Sequence, residues 1–571
     1  MKSEFSFRTK VISIFVLLFS SVLVGKLFLT QIVHKNFYAD EAIRQYVTPT
    51  SNIFERGTIY FTKKDGSLVS GATQSTGFKL AITPADIKDP KFVYQKLNLI
   101  IDLNEEDFIK KVSKKADPYE ELAFRLSKSE ADAISALKLD GVKIFKEKWR
   151  FYPGNSMAAH TVGFVAYSGD ALAGRYGLER KYNKELGRDK DNPYVNFFAE
   201  VFSNVNKTLF KNNQAKRGDI VTTIEPSTQS FLEKSLGGVL SKYKADSIGG
   251  IIMNPMDGSI YAISSLPSFD LNDFSKVDDP SLFSNPLVEN VLEFGSVVKP
   301  LVMASALDTG VVTANTSYND KGSVIVEKKE IFNFDKKGRG PGTTMQDVLN
   351  QSLNTGMVFA YQKLGKDRMR DYMLSFGIKE KTGIALPNET RGLVSNLNSP
   401  RELEYANAAF GQGIALTPVE LIRALASLAN GGVLVTPHLA NKIKYDDGTE
   451  EELIYPTKQT RISKKTSEEI TSMLVTVMDK SLKGGLAKME HHSIAVKTGT
   501  AQVANSEQGG YYEDRHTHSF FGYLPAYDPK FIVFLYAVNP KGVPYASQTW
   551  ADPFLDIAKF LVNYYELPPD R

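Results

Sequence analysis

At 571 residues the chain is too long for a single hydrophobic core, so two or more domains are expected. Apolar residues at 42% and charged ones at 23% argue against long disorder, and a net charge of +4 offers none of the concentrated basic field that nucleic-acid binding requires. The absence of cysteine removes thiol nucleophiles, disulfides and cysteine-ligated zinc together.

Lys2, Arg8 and Lys10 precede an apolar run over 11–25, which resumes after Lys26 and ends at 33. As a helix this stretch of 23 residues spans about 35 Å, enough for a hydrocarbon core. The bulky Leu27 and Phe28 after Gly25 do not suit a signal-peptide cleavage site, so an uncleaved anchor is expected. The preceding positive charges place residues 1–10 in the cytoplasm and everything after the span outside it, in the periplasm or on the outer face of the cytoplasmic membrane. Lys26 is costly there unless it snorkels or meets a polar partner. No later segment is long and apolar enough to cross again.

Residues 34–218 form a mixed α/β region with strands expected at 58–61, 78–82 and 161–165. A helix is expected over 118–139, where Leu122, Ala123, Leu126, Ala131, Ile134 and Leu137 recur at helical spacing. Few residues here are chemically poised, and the region reads as an elongated pedestal. Near Asp219 the character changes. Strands are expected at 220–224 and 250–253, with a turn at 254–258 feeding a strand at 259–264. The remainder, 219–571, alternates helix and strand as one large α+β domain and closes on a helix at 553–565.

The chemistry begins at Glu293-Phe294-Gly295-Ser296-Val297-Val298-Lys299-Pro300. Ser296 and Lys299, at i and i+3, share one helix face. Pro300 is tolerated only in a first helical turn, so the helix is expected to begin at about Ser296, with the hydroxyl at its positive end. A lysine kept neutral by burial and a neighbouring cation can take the serine's proton. The same spacing at Ser135–Lys138 and Ser241–Lys244 shows that the pair alone is weak evidence.

Two downstream motifs add weight. Ser352-Leu353-Asn354, on a loop between helices, can relay a proton and hold a carbonyl. Lys497-Thr498-Gly499-Thr500 reads as a strand whose glycine admits a substrate backbone, whose lysine supplies charge and whose threonines bind a carboxylate. Ser317-Tyr318-Asn319, in what reads as a surface loop over 313–322, and Lys381-Thr382-Gly383 are decoys. The informative signal is the ordered trio, separated by 56 and then 145 residues.

With that trio the chain resembles a class B penicillin-binding protein, a monofunctional peptidoglycan D,D-transpeptidase. The likeness extends to Arg56-Gly57-Thr58-Ile59-Tyr60, Arg150-Phe151-Tyr152-Pro153-Gly154 and Gly177-Leu178-Glu179-Arg180 in the pedestal. It also covers Gly411-Gln412-Gly413, Leu416-Thr417-Pro418 and His518-Ser519-Phe520-Phe521-Gly522-Tyr523. Phe294 departs from the family, which often has proline there. The resemblance implies an α+β architecture: a transmembrane helix, a dimerisation-type pedestal, and a penicillin-binding, β-lactamase-like domain with an antiparallel sheet flanked by helices. It makes Ser296 the nucleophile and Lys299 the base. Ser352, with Lys497, would relay the proton. Asn354 would bind the substrate side chain or amide; Thr498, Gly499 and Thr500 would bind its end, and the N–H groups of Ser296 and Thr500 would form the oxyanion hole.

The implied partners are stem peptides on a lipid-linked precursor, β-lactams, the membrane and a membrane-embedded glycan polymerase. No nucleic acid, metal or cofactor is expected, and the seven histidines show no ligand spacing. His491-His492 reads as a solvated turn; His518 is noted because it follows the third motif. A D,D-carboxypeptidase or β-lactamase shares the trio, but the pedestal and anchor speak against either. A β-lactam sensor would need further spans and an output domain, and the intact trio argues against a scaffold with dispensable catalysis. The compact pedestal tips the role slightly towards division over elongation.

Overall fold

The structure, a computed structural model, describes residues 55–168, 171–187, 216–505 and 509–571, with positions 17–21, 23 and 26. Those few N-terminal positions are helical and exposed. The expected tail at 1–10 and the rest of the expected span at 11–33 lie outside the described residues, among which no helix is long and apolar enough to cross a membrane.

The described residues from 55 onwards divide into two compact units, one at Ser75–Trp149 and the other made of Glu55–Gln74 with the described part of Arg150–Arg571. The first unit has a small core of its own, built from Leu80, Ile82, Leu97, Phe108, Val112, Leu126 and Ile134. Here the expected helix over 118–139 is corrected. Glu120–Leu126 is a strand paired antiparallel to Phe78–Ile82, and only Lys128–Ala136 is helical. Two local signals account for the break. Arg125 takes a left-handed backbone with φ +59°, which a continuous helix does not hold, and Ser127 with Glu130 forms a capping box that starts the helix afresh.

The second unit holds the catalytic sheet, antiparallel throughout, in the order Ala495–Ala504, Tyr511–Leu524, Phe531–Val538, Ser247–Met253, Ile260–Leu266. Residues paired across neighbouring strands share a face, so Phe520 lies with Leu535 and Phe521 with Phe534. Phe520 packs on Phe554 of the helix Ala546–Tyr564, whereas Phe534 meets Phe294, beside the expected nucleophile. The sheet is therefore covered on both faces. The terminal helix packs with Pro226–Tyr243 on one side, and the layer that carries Ser296 lies on the other. That second layer includes Lys299–Asp308 and Pro418–Ala429. Pro418–Ala429 is buried along its whole length and starts at a capping box between Thr417 and Glu420.

Other expectations shift locally. The stretch 161–165 is not one strand: Ala159–Val162 is helical and the strand is Val165–Ser168. The terminal helix begins at Ala546 and carries Pro553 inside it. The stretch 313–322 is not simply a surface loop, because Ser317–Asp320 pairs with Gly340–Thr344 and Asp320 is buried. His492 is buried, its Nε2 3.2 Å from the Leu567 carbonyl oxygen, while His491 is exposed.

The three pedestal motifs converge on one buried ion cluster. Arg56 Nε and Arg150 Nε donate to the two oxygens of Glu179, at 2.5 and 2.6 Å. Arg56 Nη1 and Nη2 donate to Asn183 Oδ1 and the Glu179 carbonyl and Arg150 Nη1 to the Gly57 carbonyl, at 2.7–2.9 Å, while Arg150 Nη2 is buried without a partner among the described residues. Each motif thus supplies one charge, although 123 residues separate Arg56 from Glu179.

Candidate active site

Ser296 lies in a 3-10 turn, Gly295–Val298, that leads directly into the α-helix Lys299–Asp308 with Pro300 in its first turn. The α-helix therefore starts at the lysine, three residues later than expected. Gly295 has φ +64° and is packed so closely that a Cβ would lie 2.7 Å from the Thr500 carbonyl oxygen. A Cβ on Gly411 would lie 2.1 Å from the Gly295 carbonyl, and one on Gly499 2.4 Å from that of Phe294. Three backbone segments from distant parts of the chain thus meet at the nucleophile, and Ser519 Oγ ties the group by donating to the Phe294 carbonyl at 2.7 Å.

The lysines and Ser352 come together behind Ser296. Lys299 is wholly buried and its Nζ donates to the Ser352 carbonyl at 2.6 Å and Asn354 Oδ1 at 2.9 Å, with Ser352 Oγ at 3.3 Å. Lys497, also buried, reaches the same Ser352 Oγ at 3.0 Å and the Thr498 carbonyl at 3.0 Å. Burial drives the Lys299 amine well below its ordinary value, and the Lys497 charge lowers it further. Burial alone brings Lys497 down to about 7. Among the described residues no carboxylate offsets that burial at either lysine, so each can exist as a free amine near neutrality.

Ser352 sits between the helices Met345–Asn350 and Asn354–Leu364 with φ +55°, a left-handed conformation that costs a residue with a side chain about 1–2 kcal/mol. The turn aims its carbonyl and hydroxyl together at Lys299. Asn354 completes the frame, with Oδ1 on Lys299 and Nδ2 donating to the Phe332 carbonyl at 2.9 Å. Thr500 Oγ1 accepts from the Ala546 N–H at 3.1 Å, which leaves its proton free for an incoming carboxylate. All the expected site residues except Lys299 and Gly499 line one cleft of about 750 Å3, together with Gln412, Lys336, Arg339 and Tyr545. Lys299 lies beneath it, and Gly499 is buried in the strand that forms its wall.

The decoys are elsewhere. Thr382 turns inwards, its N–H and Oγ1 both donating to Glu389 Oε1 at 2.5 and 2.6 Å. Tyr318 supports the site from outside, its hydroxyl 2.9 Å from that of Thr355. His518 is buried behind the strand, its Nδ1 2.8 Å from Thr549 Oγ1, and burial lowers it to about 4, so it is neutral. Sequence reasoning missed the buried network of Asp320, Asn333 and Thr355. Asp320 accepts from Asn333 Nδ2 at 3.0–3.1 Å and from Thr355 Oγ1 at 2.8 Å, and so fixes the loop whose Phe332 carbonyl holds Asn354. No local pattern announced it.

Residues 248–559 match the family described as "Penicillin binding protein transpeptidase domain", and residues 54–222 match "Penicillin-binding Protein dimerisation domain". The chain belongs to the class B penicillin-binding proteins. It is 31% identical over 510 residues to stage V sporulation protein D of Bacillus subtilis, covering 88% of this chain and 77% of that relative. It is 25% identical to a peptidoglycan D,D-transpeptidase FtsI of Buchnera aphidicola, over 79% of this chain and 76% of the other. Among solved structures, penicillin-binding protein 2X of Streptococcus thermophilus superposes with TM-score 0.71 at 19% identity, covering 90% of this chain and 81% of its own. Penicillin-binding protein 3 of Mycobacterium tuberculosis complexed with ampicillin gives 0.69 at 21%, covering 90% and 96%. Those two likenesses speak for the fold.

Proposed function

We propose that this class B penicillin-binding protein cross-links peptidoglycan as a D,D-transpeptidase through an acyl-enzyme on Ser296. The observation that carries the reading is a buried pair of lysines meeting on one hydroxyl, Ser352 Oγ, in the cleft that Ser296 also lines.

Neutral Lys299 takes the proton of Ser296 Oγ as that oxygen attacks the penultimate D-alanine carbonyl of a donor stem. The N–H groups of Ser296 and Thr500, on backbones that only glycine allows so close, hold the oxyanion. Ser352 Oγ can accept from Lys497 while donating its own proton onward, so the proton passes to the departing D-alanine amine. Thr498, Gly499 and Thr500 bind the terminal carboxylate, and Asn354 binds the amide before it. The amine of a neighbouring stem then attacks the ester, forming the cross-link and releasing Ser296. A β-lactam places its strained carbonyl where the D-alanine carbonyl goes and acylates the same oxygen.

The reading extends to a membrane span at 11–33, a short cytoplasmic tail and a catalytic unit outside the cytoplasm, supported by Lys2, Arg8 and Lys10 ahead of the apolar run. A lipid-linked precursor as donor and a membrane-embedded glycan polymerase as partner fit that placement. Whole-cell protease protection with an antibody to the catalytic unit tests it: protection in spheroplasts would overturn the topology.

The catalytic reading is tested by peptide mapping after incubation with a penicillin. One acyl adduct is expected, on the peptide that contains Ser296; an adduct on any other serine overturns the assignment. A second expectation concerns pH. Removing the Lys497 charge with Lys497→Met takes away one of the two causes that lower Lys299, so the Lys299 amine regains its proton more readily. The acid limb of the acylation-rate profile should then move to higher pH, and a limb that stays in place or moves to lower pH contradicts the coupling.

A further inference from the structure

Although the chain as a whole carries 65 acidic residues against 69 basic ones, no carboxylate is among the described residues lining the catalytic cleft, whereas Lys336, Arg339, Lys483 and Lys497 all line it. Most of that charge is already matched. Arg339 is clamped by Asp335 at 3.0 Å and also donates to Gln351, and Lys483 is paired with Asp552 at 2.5 Å. Lys497 serves Ser352. Lys336 differs: its ammonium lies 5.4 Å over the Phe332 ring and meets no carboxylate among the described residues.

Its backbone is also unusual. Lys336 has φ +57°, in the left-handed region that penalises residues with side chains, and is held there by its N–H on the Asn333 carbonyl at 2.9 Å. Asn333 in turn is fixed by the buried Asp320. Strain retained on a rigid support at the mouth of a cleft points to a side chain that is being aimed. The same loop holds Asn354 through the Phe332 carbonyl, so Lys336 and Asn354 share one support on the cleft that the transpeptidase reading assigns to the donor stem.

We propose that Lys336 forms an anion subsite for a second carboxylate on the donor stem, the one on the side chain of a third residue that is a diamino dicarboxylic acid. Stems whose third side chain ends in an amine alone, or whose carboxylate is amidated, leave the ammonium unpaired. The proposal rests on the transpeptidase reading of the same cleft. The γ-linked glutamate at the second stem position carries the same chemistry, and the test separates the two sources.

Pentapeptide donors are prepared with both carboxylates free, with only the third residue's amidated, and with only the second residue's amidated. D-alanine release is then measured for the full chain and for Lys336→Met. For the unsubstituted enzyme kcat/KM should fall about fivefold on amidation at the third residue and hold on amidation at the second, the upper end of what one exposed ion pair contributes. Lys336→Met should remove the difference while leaving turnover of the third-residue amide unchanged. Equal turnover of all three donors, dependence on the second carboxylate, or a Lys336→Met loss shared by every donor overturns the subsite. Penicillin acylation of Ser296 is followed in parallel. Its absence from the unsubstituted protein would overturn the transpeptidase reading itself.

Discussion

Lys299→Met is expected to slow acylation by penicillin about 10³- to 10⁴-fold, equivalent to ~4–5.5 kcal/mol of lost transition-state stabilisation. The substitution keeps volume and removes only the amine. That amine is the group whose proton affinity burial and Lys497 lower, and without it Ser296 has no base beside it. Lys497 remains close to Ser352 Oγ and supports a residual rate. Because the wild-type base functions only when unprotonated, acylation should rise with pH through the lowered Lys299 value, and that limb should vanish in the variant. Stopped-flow acylation between pH 5 and 10 reads both effects, with circular dichroism to confirm the fold. A variant within tenfold of wild type at neutral pH assigns the base elsewhere.

The second large effect is on stability. Glu179→Ala leaves two buried guanidiniums, Arg56 and Arg150, facing each other without their shared carboxylate. Breaking a buried pair in this way costs about 3–5 kcal/mol, and here one carboxylate serves two cations. The melting midpoint should fall by about 5 °C or more. Glu179→Gln should cost less, because an amide oxygen can still accept one of the two hydrogen bonds. Thermal unfolding followed by fluorescence distinguishes them. Equal and small shifts would mean that Asn183 and the Gly57 and Glu179 carbonyls satisfy the arginines unaided.

Much of the site could be read beforehand because its chemistry lies in short segments with rigid local rules. Pro300 restricts where a helix can start, and Gly499 marks a strand that must lie against another backbone. Ser296, Lys299, Ser352, Asn354 and Lys497 stand out as an ordered trio of motifs rather than by any one spacing, and the fold brings them together. The Asp320–Asn333–Thr355 network did not, because its members are polar residues scattered over 35 positions with no period to betray burial. The pedestal motifs were visible as words, but their meaning, three charges from three segments meeting in one place, depends on tertiary contact. The helix expected over 118–139 erred differently. The apolar spacing of Leu122 to Leu137 runs through two elements, and the Ser127–Glu130 box that starts the second is a short signal beside that longer pattern.

The wall around Ser296 is made of main chain packed against main chain, at Gly295, Gly411 and Gly499. Every amino acid offers the same main-chain atoms, so exchanging residues has little means of reshaping that wall short of breaking it. A lineage exposed to penicillins cannot easily redraw the pocket in which the drug reacts. Heritable changes in drug susceptibility should instead accumulate on the side chains of the rim, at positions such as Gln412, Lys336 and Tyr545, where entry can be altered while the reaction itself is kept.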